Sequence, residues 1–97
     1  MRIVTFLKIK EFSGKHASSN VALRDWFIKA KRSEWKTLND VKQTFNSVDY
    51  VGNNRFVFNI KGNDYRFVTI IIFASSKVYI RFIGTHSNYD KIDCSNI

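Results

Sequence analysis

The second half of the chain alternates between apolar and polar residues, and this period of two constrains the fold more than any other feature. From position 53 onward, apolar residues such as Phe56 and Phe58 recur at every second position. Because successive side chains of a β-strand point to opposite faces, the segment predicts a strand with one apolar and one polar face. Further strands are expected from Tyr65 to Phe73 and from Lys77 to Ile83, where Gly84 breaks the pattern.

Two candidate turns separate these strands and predict how they pair. Gly62-Asn63 tolerates positive φ, and Ser75-Ser76 offers a second two-residue loop. The two-residue length of each loop fixes which residues are opposed, and opposed residues of an antiparallel pair lie on the same face of the sheet. The expected pairs include Asn59 with Arg66 and Ile70 with Arg81. The polar face is expected to carry Asn59, Lys61, Arg66, Tyr79 and Arg81. The apolar face is expected to carry Phe56, Phe58, Ile60, Tyr65, Phe67, Ile71, Phe73, Val78, Ile80 and Phe82.

The first half of the chain predicts a short strand followed by two helices. Residues 3–9 alternate weakly and favour a strand that ends at the turn-like Ser13-Gly14. Trp26 lies among apolar residues at helical spacing behind the candidate caps Ser18 and Ser19. A second, shorter helix is expected to begin at Thr37–Asp40, a variant of the capping box with Asp in place of Glu. The sequence therefore predicts an α+β fold with an N-terminal strand and two helices packed on an antiparallel sheet of three to four strands.

Length and composition predict one domain, residues 1–97. The chain is 44% hydrophobic and 15% aromatic, which is too apolar for disorder. Cys94 is the only cysteine, so no intrachain disulfide can form and a reducing compartment is favoured. No stretch approaches the roughly 20 apolar residues of a membrane span, and the first residues do not fit a signal peptide. We therefore expect a cytoplasmic protein without a membrane partner.

The charge points to a polyanionic partner. Sixteen Lys and Arg against eight Asp and Glu give a formal net charge of +8. Such an excess is typical of proteins that bind nucleic acid or an acidic protein, and composition alone does not separate the two. A basic surface that only aids solubility is the alternative.

The residue types on the expected polar face suit phosphodiester chemistry. Arg66 and Arg81 could bind phosphate and stabilise charge that develops on its oxygens. His86, on the loop after the last strand, could carry a proton near neutral pH. Tyr79 or Tyr89 could stack on an unpaired base. The alternatives are a solvated sheet face and an exposed loop histidine.

Neither a metal site nor a cofactor site is expected. His16 and His86 are far apart in the sequence, Cys94 stands alone, and no carboxylate cluster accompanies them. The chain also lacks a glycine-rich phosphate loop and the pattern of a Ser-His-Asp triad.

Several segments resemble the HigB family of toxins, which belongs to the RelE-like group. The matching segments are 52–63, 65–66, 78–86 and 89–93, and residues 26–31, 35–36 and 39–42 also match the helical half of the family. The most specific segment is Arg-Phe-Ile-Gly-Thr-His at 81–86, followed two residues later by Tyr-Asp-Lys-Ile-Asp. The resemblance covers nearly the whole chain.

The resemblance implies a RelE-like toxin that cleaves mRNA, usually on the translating ribosome. A HigA-type antitoxin with a helix-turn-helix domain would neutralise it, and DNA would be contacted only through that antitoxin. Metal-independent attack by a ribose 2′-OH is the expected reaction. By position, the resemblance assigns catalytic roles to Arg66, Arg81, His86 and Tyr89. It assigns supporting RNA contacts to Asn59 and Lys61, to which the polar face adds Tyr79.

Two departures from the family leave an alternative open. Many relatives have Lys where this chain has Ile70, and Pro where it has Ala17. Loss of a cation next to Arg81 would favour a weakened RNA-binding or antitoxin-binding module without cleavage activity. A gyrase-directed toxin of the ParE kind is a further possibility, but such toxins generally lack the histidine and tyrosine found here.

Overall fold

Five strands form a mixed sheet in the part of the chain that the computed structural model describes, residues 1–4, 6–61 and 64–97. In chain order the elements are β1 (Arg2–Val4), α1 (Phe6–Lys15), α2 (Asn20–Arg32), α3 (Leu38–Thr44), β2 (Val48–Gly52), β3 (Arg55–Ile60), β4 (Tyr65–Ile72), β5 (Lys77–Thr85) and α4 (His86–Tyr89). The strand order is β1-β5-β4-β3-β2, with β1 parallel to β5 and the other neighbours antiparallel. The α+β class is confirmed, and the sheet has one strand more than the upper prediction.

The helices cover the apolar face of the sheet, as the alternation predicts. Trp26 of α2 is 1% exposed, and its ring meets Phe58 and Phe67 edge-on at centroid distances of 5.5 and 4.4 Å. Burying a phenylalanine such as Phe58 or Phe67 contributes roughly 1.5–3 kcal/mol to stability. Trp35 is also buried and donates its indole N–H to Thr44 Oγ1 at the corner between α2 and α3. This core leaves the opposite face of the sheet available for other contacts.

The two predicted helix starts are close to those observed. Thr37 caps α3 with a complete capping box, in which its side chain accepts from the Asp40 amide and the Asp40 carboxylate accepts from the Thr37 amide. Backbone hydrogen bonds from Lys36 and Thr37 hold the pKa of Asp40 below its ordinary value. Ser19 occupies the N-cap position of α2, but its hydroxyl donates to the His16 carbonyl and forms no cap hydrogen bond.

The predicted strand over residues 3–9 is wrong beyond Val4. The chain forms α1 instead, and Ser13-Gly14 lies inside this helix. The reason is the spacing of Ile9 and Phe12, which pack on the core from one side of a helix while Leu7 is exposed. Thr5, which the strand prediction included, lies outside the described residues. β1 is therefore only three residues long and pairs in parallel with the start of β5.

The predicted register is right between β3 and β4 and wrong between β4 and β5. Asn59 pairs with Arg66, although the Gly62-Asn63 turn itself lies outside the described residues. The second connection is longer than two residues, because Phe73–Ser75 forms a 3₁₀ turn that Ser76 closes at a φ of 55°. Ile70 consequently pairs with Tyr79 rather than with Arg81.

A β-bulge in β5 also overturns part of the predicted face assignment. Thr69 pairs with Ile80 and Val68 pairs with Phe82, so Arg81 is the extra residue on its strand. The bulge reverses the alternation beyond it. The alternation had placed Phe82 in the core, but Phe82 shares the face of Val68, so this part of the prediction is wrong.

The C-terminal segment is attached to the face of the sheet opposite the helices. Arg55 donates from Nε and Nη2 to the Ile97 carbonyl, and the Asn53 side chain donates to the Ser95 carbonyl. Val57 and Val68 lie on this face and are 1% and 0% exposed. The face is thus partly covered rather than fully solvated.

None of the helices described here combines the length and apolar character that crossing a bilayer requires.

Candidate active site

Arg66 is the centre of a polar cluster on the face opposite the helices. Its Nη1 donates to Asn59 Oδ1 across the β3–β4 pair, and its Nη2 lies 3.1 Å from His86 Nε2. The guanidinium carbon lies 5.3 Å from the centre of the Tyr89 ring, within the range of a cation–π contact. The structure thus brings together Asn59, Arg66, His86 and Tyr89, all of which were predicted as site residues.

Further contacts hold the cluster in place. The Asn59 amide donates to Ser47 Oγ, so the acceptor oxygen is directed at Arg66. Arg66 Nε is buried and has no hydrogen-bond partner among the described residues. An unpaired buried donor is costly and is often found at functional sites. Sequence reasoning missed Ser47, because its position depends on a contact across twelve residues.

His86 is oriented by the carboxylate of Asp90. His86 Nδ1 lies 3.3 Å from Asp90 Oδ2, and both side chains are about half exposed. Arg66 can only donate, so Nε2 accepts from it and Nδ1 carries the proton that Asp90 accepts. Sequence reasoning did not identify Asp90 as a site residue. The signal available was its position four residues after His86, which places both on one side of a helical turn.

Helix α4 is short but held firmly. Thr85 caps it with a capping box completed by Asn88, whose side chain accepts from the Thr85 amide. β5 runs without interruption into Thr85, so the predicted break at Gly84 is wrong. Gly84 is buried, and its lack of a side chain allows α4 and the Phe82 ring to approach. A Cβ there would lie 2.5 Å from Phe82 Cζ and 3.1 Å from Asn88 Cβ.

We expect Gly84→Ala to destabilise the protein by about 1–3 kcal/mol, the usual range for overpacking, because the methyl group would displace Phe82 and Asn88. Denaturant unfolding monitored by tryptophan fluorescence measures the effect. Gly14→Ala is the matched control, since no atom lies within 4 Å of a Cβ at that position in α1. Alanine is the better helix former, so Gly14→Ala should stabilise by about 0.5–1 kcal/mol. Equal effects of the two substitutions would show that close packing at Gly84 is unimportant.

Tyr89 supports Arg66 and retains its proton at neutral pH. Its hydroxyl donates to Cys94 Sγ at 3.2 Å, and the ring is partly buried. Burial raises the pKa of Tyr89 to about 12, and the contact with Cys94 acts in the same direction. The phenol therefore does not act as a base near neutral pH.

Three other predicted site residues lie outside the cluster. Lys61 follows β3 and pairs with Asp64 at 3.8 Å, with both side chains about half exposed. Tyr79 pairs with Ile70, which is four positions from Arg66 and thus roughly 13 Å away along the strand. Arg81 is exposed in the β5 bulge.

The position of Ile70 weakens the alternative that the chain is a binding module without cleavage activity. The pairing of Ile70 with Arg81, on which that alternative depended, does not occur. A hydrophobic residue at this position removes no contact from the cluster around Arg66. The departure from the family pattern therefore lies away from the residues that the structure brings together.

No group of three or more His, Cys, Asp or Glu side chains within residues 1–4, 6–61 and 64–97 is placed to hold a metal ion.

Comparison with known proteins points to one family. A family model described as HigB_toxin, the RelE-like toxic component of a toxin-antitoxin system, matches residues 19–92. The chain is 31% identical over 93 residues to the mRNA interferase toxin HigB of Escherichia coli K12, covering 93% of this chain and 88% of that protein. It is equally similar to the mRNA interferase HigB of Shigella flexneri. The mRNA interferase HigB of E. coli O6:H1 is 23% identical over 94 residues, 95% of this chain and 91% of that protein.

Proposed function

The chain belongs to the HigB family of RelE-like toxins, and we propose that it is an endoribonuclease that cleaves mRNA and thereby inhibits translation. The observation that carries this proposal is the contact between Arg66 and His86, with Nη2 and Nε2 3.1 Å apart. It places a group that binds phosphate next to a group that transfers protons. An RNA-binding module without activity would not need a histidine oriented by a carboxylate.

The reaction we propose is an internal transfer of the phosphate. His86 Nε2 takes the proton of a ribose 2′-OH, and the 2′-oxygen attacks the adjacent phosphorus as the bond to the 5′-oxygen breaks. The products are a 2′,3′-cyclic phosphate and a 5′-hydroxyl, whose oxygen takes its proton from water. Asp90 stabilises the imidazolium that forms on His86. The reaction requires no metal ion.

Arg66 supplies electrostatic stabilisation in this scheme. When RNA binds, its guanidinium exchanges the contact with His86 Nε2 for the phosphate oxygens, which frees Nε2 to act as the base. Asn59 and the Tyr89 ring keep the guanidinium in position during this exchange. Tyr89 therefore acts by holding Arg66 rather than as a second proton carrier.

We further propose the partners that the family implies. A HigA-type antitoxin with a helix-turn-helix domain neutralises the toxin and provides its only link to DNA, and the translating ribosome presents the mRNA. The net charge of +8 suits both RNA and an acidic segment of an antitoxin. In this proposal residues 1–97 act as one domain in the cytoplasm.

Mapping of mRNA ends after induced expression tests the proposed function. We expect wild-type protein to stop growth and to generate new mRNA 5′ ends that carry a hydroxyl group, whereas a variant with both Arg66→Ala and His86→Ala should do neither. Co-expression of the antitoxin from the adjacent gene should restore growth. Growth arrest with intact mRNA would contradict the proposal and indicate a different target.

A further inference from the structure

A basic groove lies between α1 and the outer edge of β5. It has a volume of about 340 Å³, and the charged residues that line it are Lys8, Lys15, Arg81 and Glu11. Three cations against one carboxylate give a local charge of +2. Among the residues that the structure describes, β1 pairs with residues 77–79 of β5, so this pairing ends two residues before Arg81.

Arg81, the bulged residue of β5, lines this groove opposite α1. Lys8 Nζ donates to the Arg81 carbonyl at 3.5 Å, which ties α1 to the strand edge. Lys15 lies seven residues further along α1, about 10 Å along the helix axis and on the same side. The guanidinium of Arg81 is exposed and has no hydrogen-bond or ion-pair partner in the described part of the chain. The groove thus presents cations at intervals along its length.

The groove continues into the candidate active site through Phe82. This half-buried residue lines the groove, and its ring lies against Gly84. Gly84 pairs directly with Arg66. The Cα atoms of Phe82 and Arg66 are therefore separated by two residues along β5 and one strand spacing, a distance on the order of 8 Å.

We propose that this groove binds the single-stranded RNA that flanks the cleaved bond. Lys8, Lys15 and Arg81 contact its phosphates, and an unpaired base packs against the Phe82 ring. Cations that follow the backbone beside an aromatic side chain are the usual arrangement for single-stranded nucleic acid. The continuity with Arg66 favours RNA over an acidic protein segment. The proposal rests on the proposed function. In it, Arg81 contacts a phosphate next to the cleaved bond instead of the reacting phosphate.

Binding measurements separate this groove from general charge attraction. The His86→Ala protein, which should cleave about 10² to 10⁴ times more slowly than the wild type, is titrated with a fluorescent 12-nucleotide single-stranded RNA at several salt concentrations. Adding Lys8→Gln and Lys15→Gln should make the negative slope of log affinity against log salt shallower by about 1.4, since each phosphate contact on a single strand contributes about −0.7. Adding Lys36→Gln and Lys42→Gln, which replace one exposed lysine before α3 and one in its last turn, makes the same change in net charge. This control pair should leave the slope almost unchanged.

Three results would overturn the groove proposal. The first is an equal loss in the two lysine pairs, which would show that only net charge matters. The second is that a polyglutamate peptide binds as tightly as RNA and that Lys8→Gln and Lys15→Gln weaken the binding of both equally. This result would assign the groove to an acidic protein. The third is an absence of RNA binding at low salt. Each readout is binding alone, so a wild type that cleaves no mRNA would refute the proposed function without deciding the role of the groove.

Discussion

His86→Ala is expected to lower the rate of mRNA cleavage by about 10² to 10⁴, the range over which general acid or base catalysis acts. The alanine variant keeps the Arg66 guanidinium but has no group to take the proton of the 2′-OH. The loss should appear in the cleavage rate on translating ribosomes at saturating toxin, because His86 supplies the chemistry and little of the binding. Its side chain is about half exposed, so the unfolding free energy should change little.

Two neighbouring substitutions refine this expectation. Ser87→Ala is the matched control, since Ser87 is exposed on the same helical turn and should leave cleavage unchanged. Asp90→Asn keeps an oxygen that can accept from Nδ1 but removes the negative charge, so it should lower the rate by less than His86→Ala does. Full activity of a folded His86→Ala protein would exclude the histidine as the base.

The pairing of β3 with β4 could be predicted because it depends on local pattern. Asn59 and Arg66 are polar residues in strands that otherwise alternate, and turning either to the apolar face would bury a polar group beside Phe58 and Phe67. The cost of the wrong register is high, so the sequence specifies it well. The same reasoning correctly identified the inner face that α2 covers.

The position of Arg81 could not be predicted in this way. The 3₁₀ turn at Phe73–Ser75 and the bulge at Arg81 each change the count of residues between strands, and neither has a glycine or proline that would mark it. The two shifts differ in their effect. A longer turn moved the pairing of Tyr79 by two positions and kept its face, whereas the bulge moved Phe82 to the other face.

Four of the seven predicted site residues lie together around Arg66, but their geometry was not predicted. The family resemblance pointed to His86 and Tyr89, which alternation could not place because both lie beyond the last strand. Their contact with Arg66 depends on the close packing at Gly84 and on the way the C-terminal segment is held. Asp90 was missed because a helix of four residues, His86–Tyr89, gives too short a pattern to recognise.

Arg66 is the second residue on which the proposed mechanism depends, and Arg66→Lys tests whether its positive charge alone is sufficient. Lysine keeps the positive charge but offers a single compact ammonium group in place of a planar fork of donors. The ammonium group cannot contact both Asn59 and a phosphate with the geometry of a guanidinium. It also lacks the planar surface that the guanidinium group presents to the Tyr89 ring. We expect cleavage to fall by about 10² to 10³, the range seen when one donor to a transition-state oxyanion is lost.

The measurement is again the cleavage rate on translating ribosomes, with RNA affinity determined in parallel. Because the charge is retained, affinity for RNA should fall far less than the rate does. Arg24→Lys on the exposed side of α2 is the matched control and should change neither quantity. A parallel loss of affinity and rate in Arg66→Lys would mean that Arg66 binds RNA without stabilising the transition state. Activity close to that of the wild type would show that charge alone suffices, and that the contacts with Asn59, His86 and Tyr89 do not position the group for catalysis.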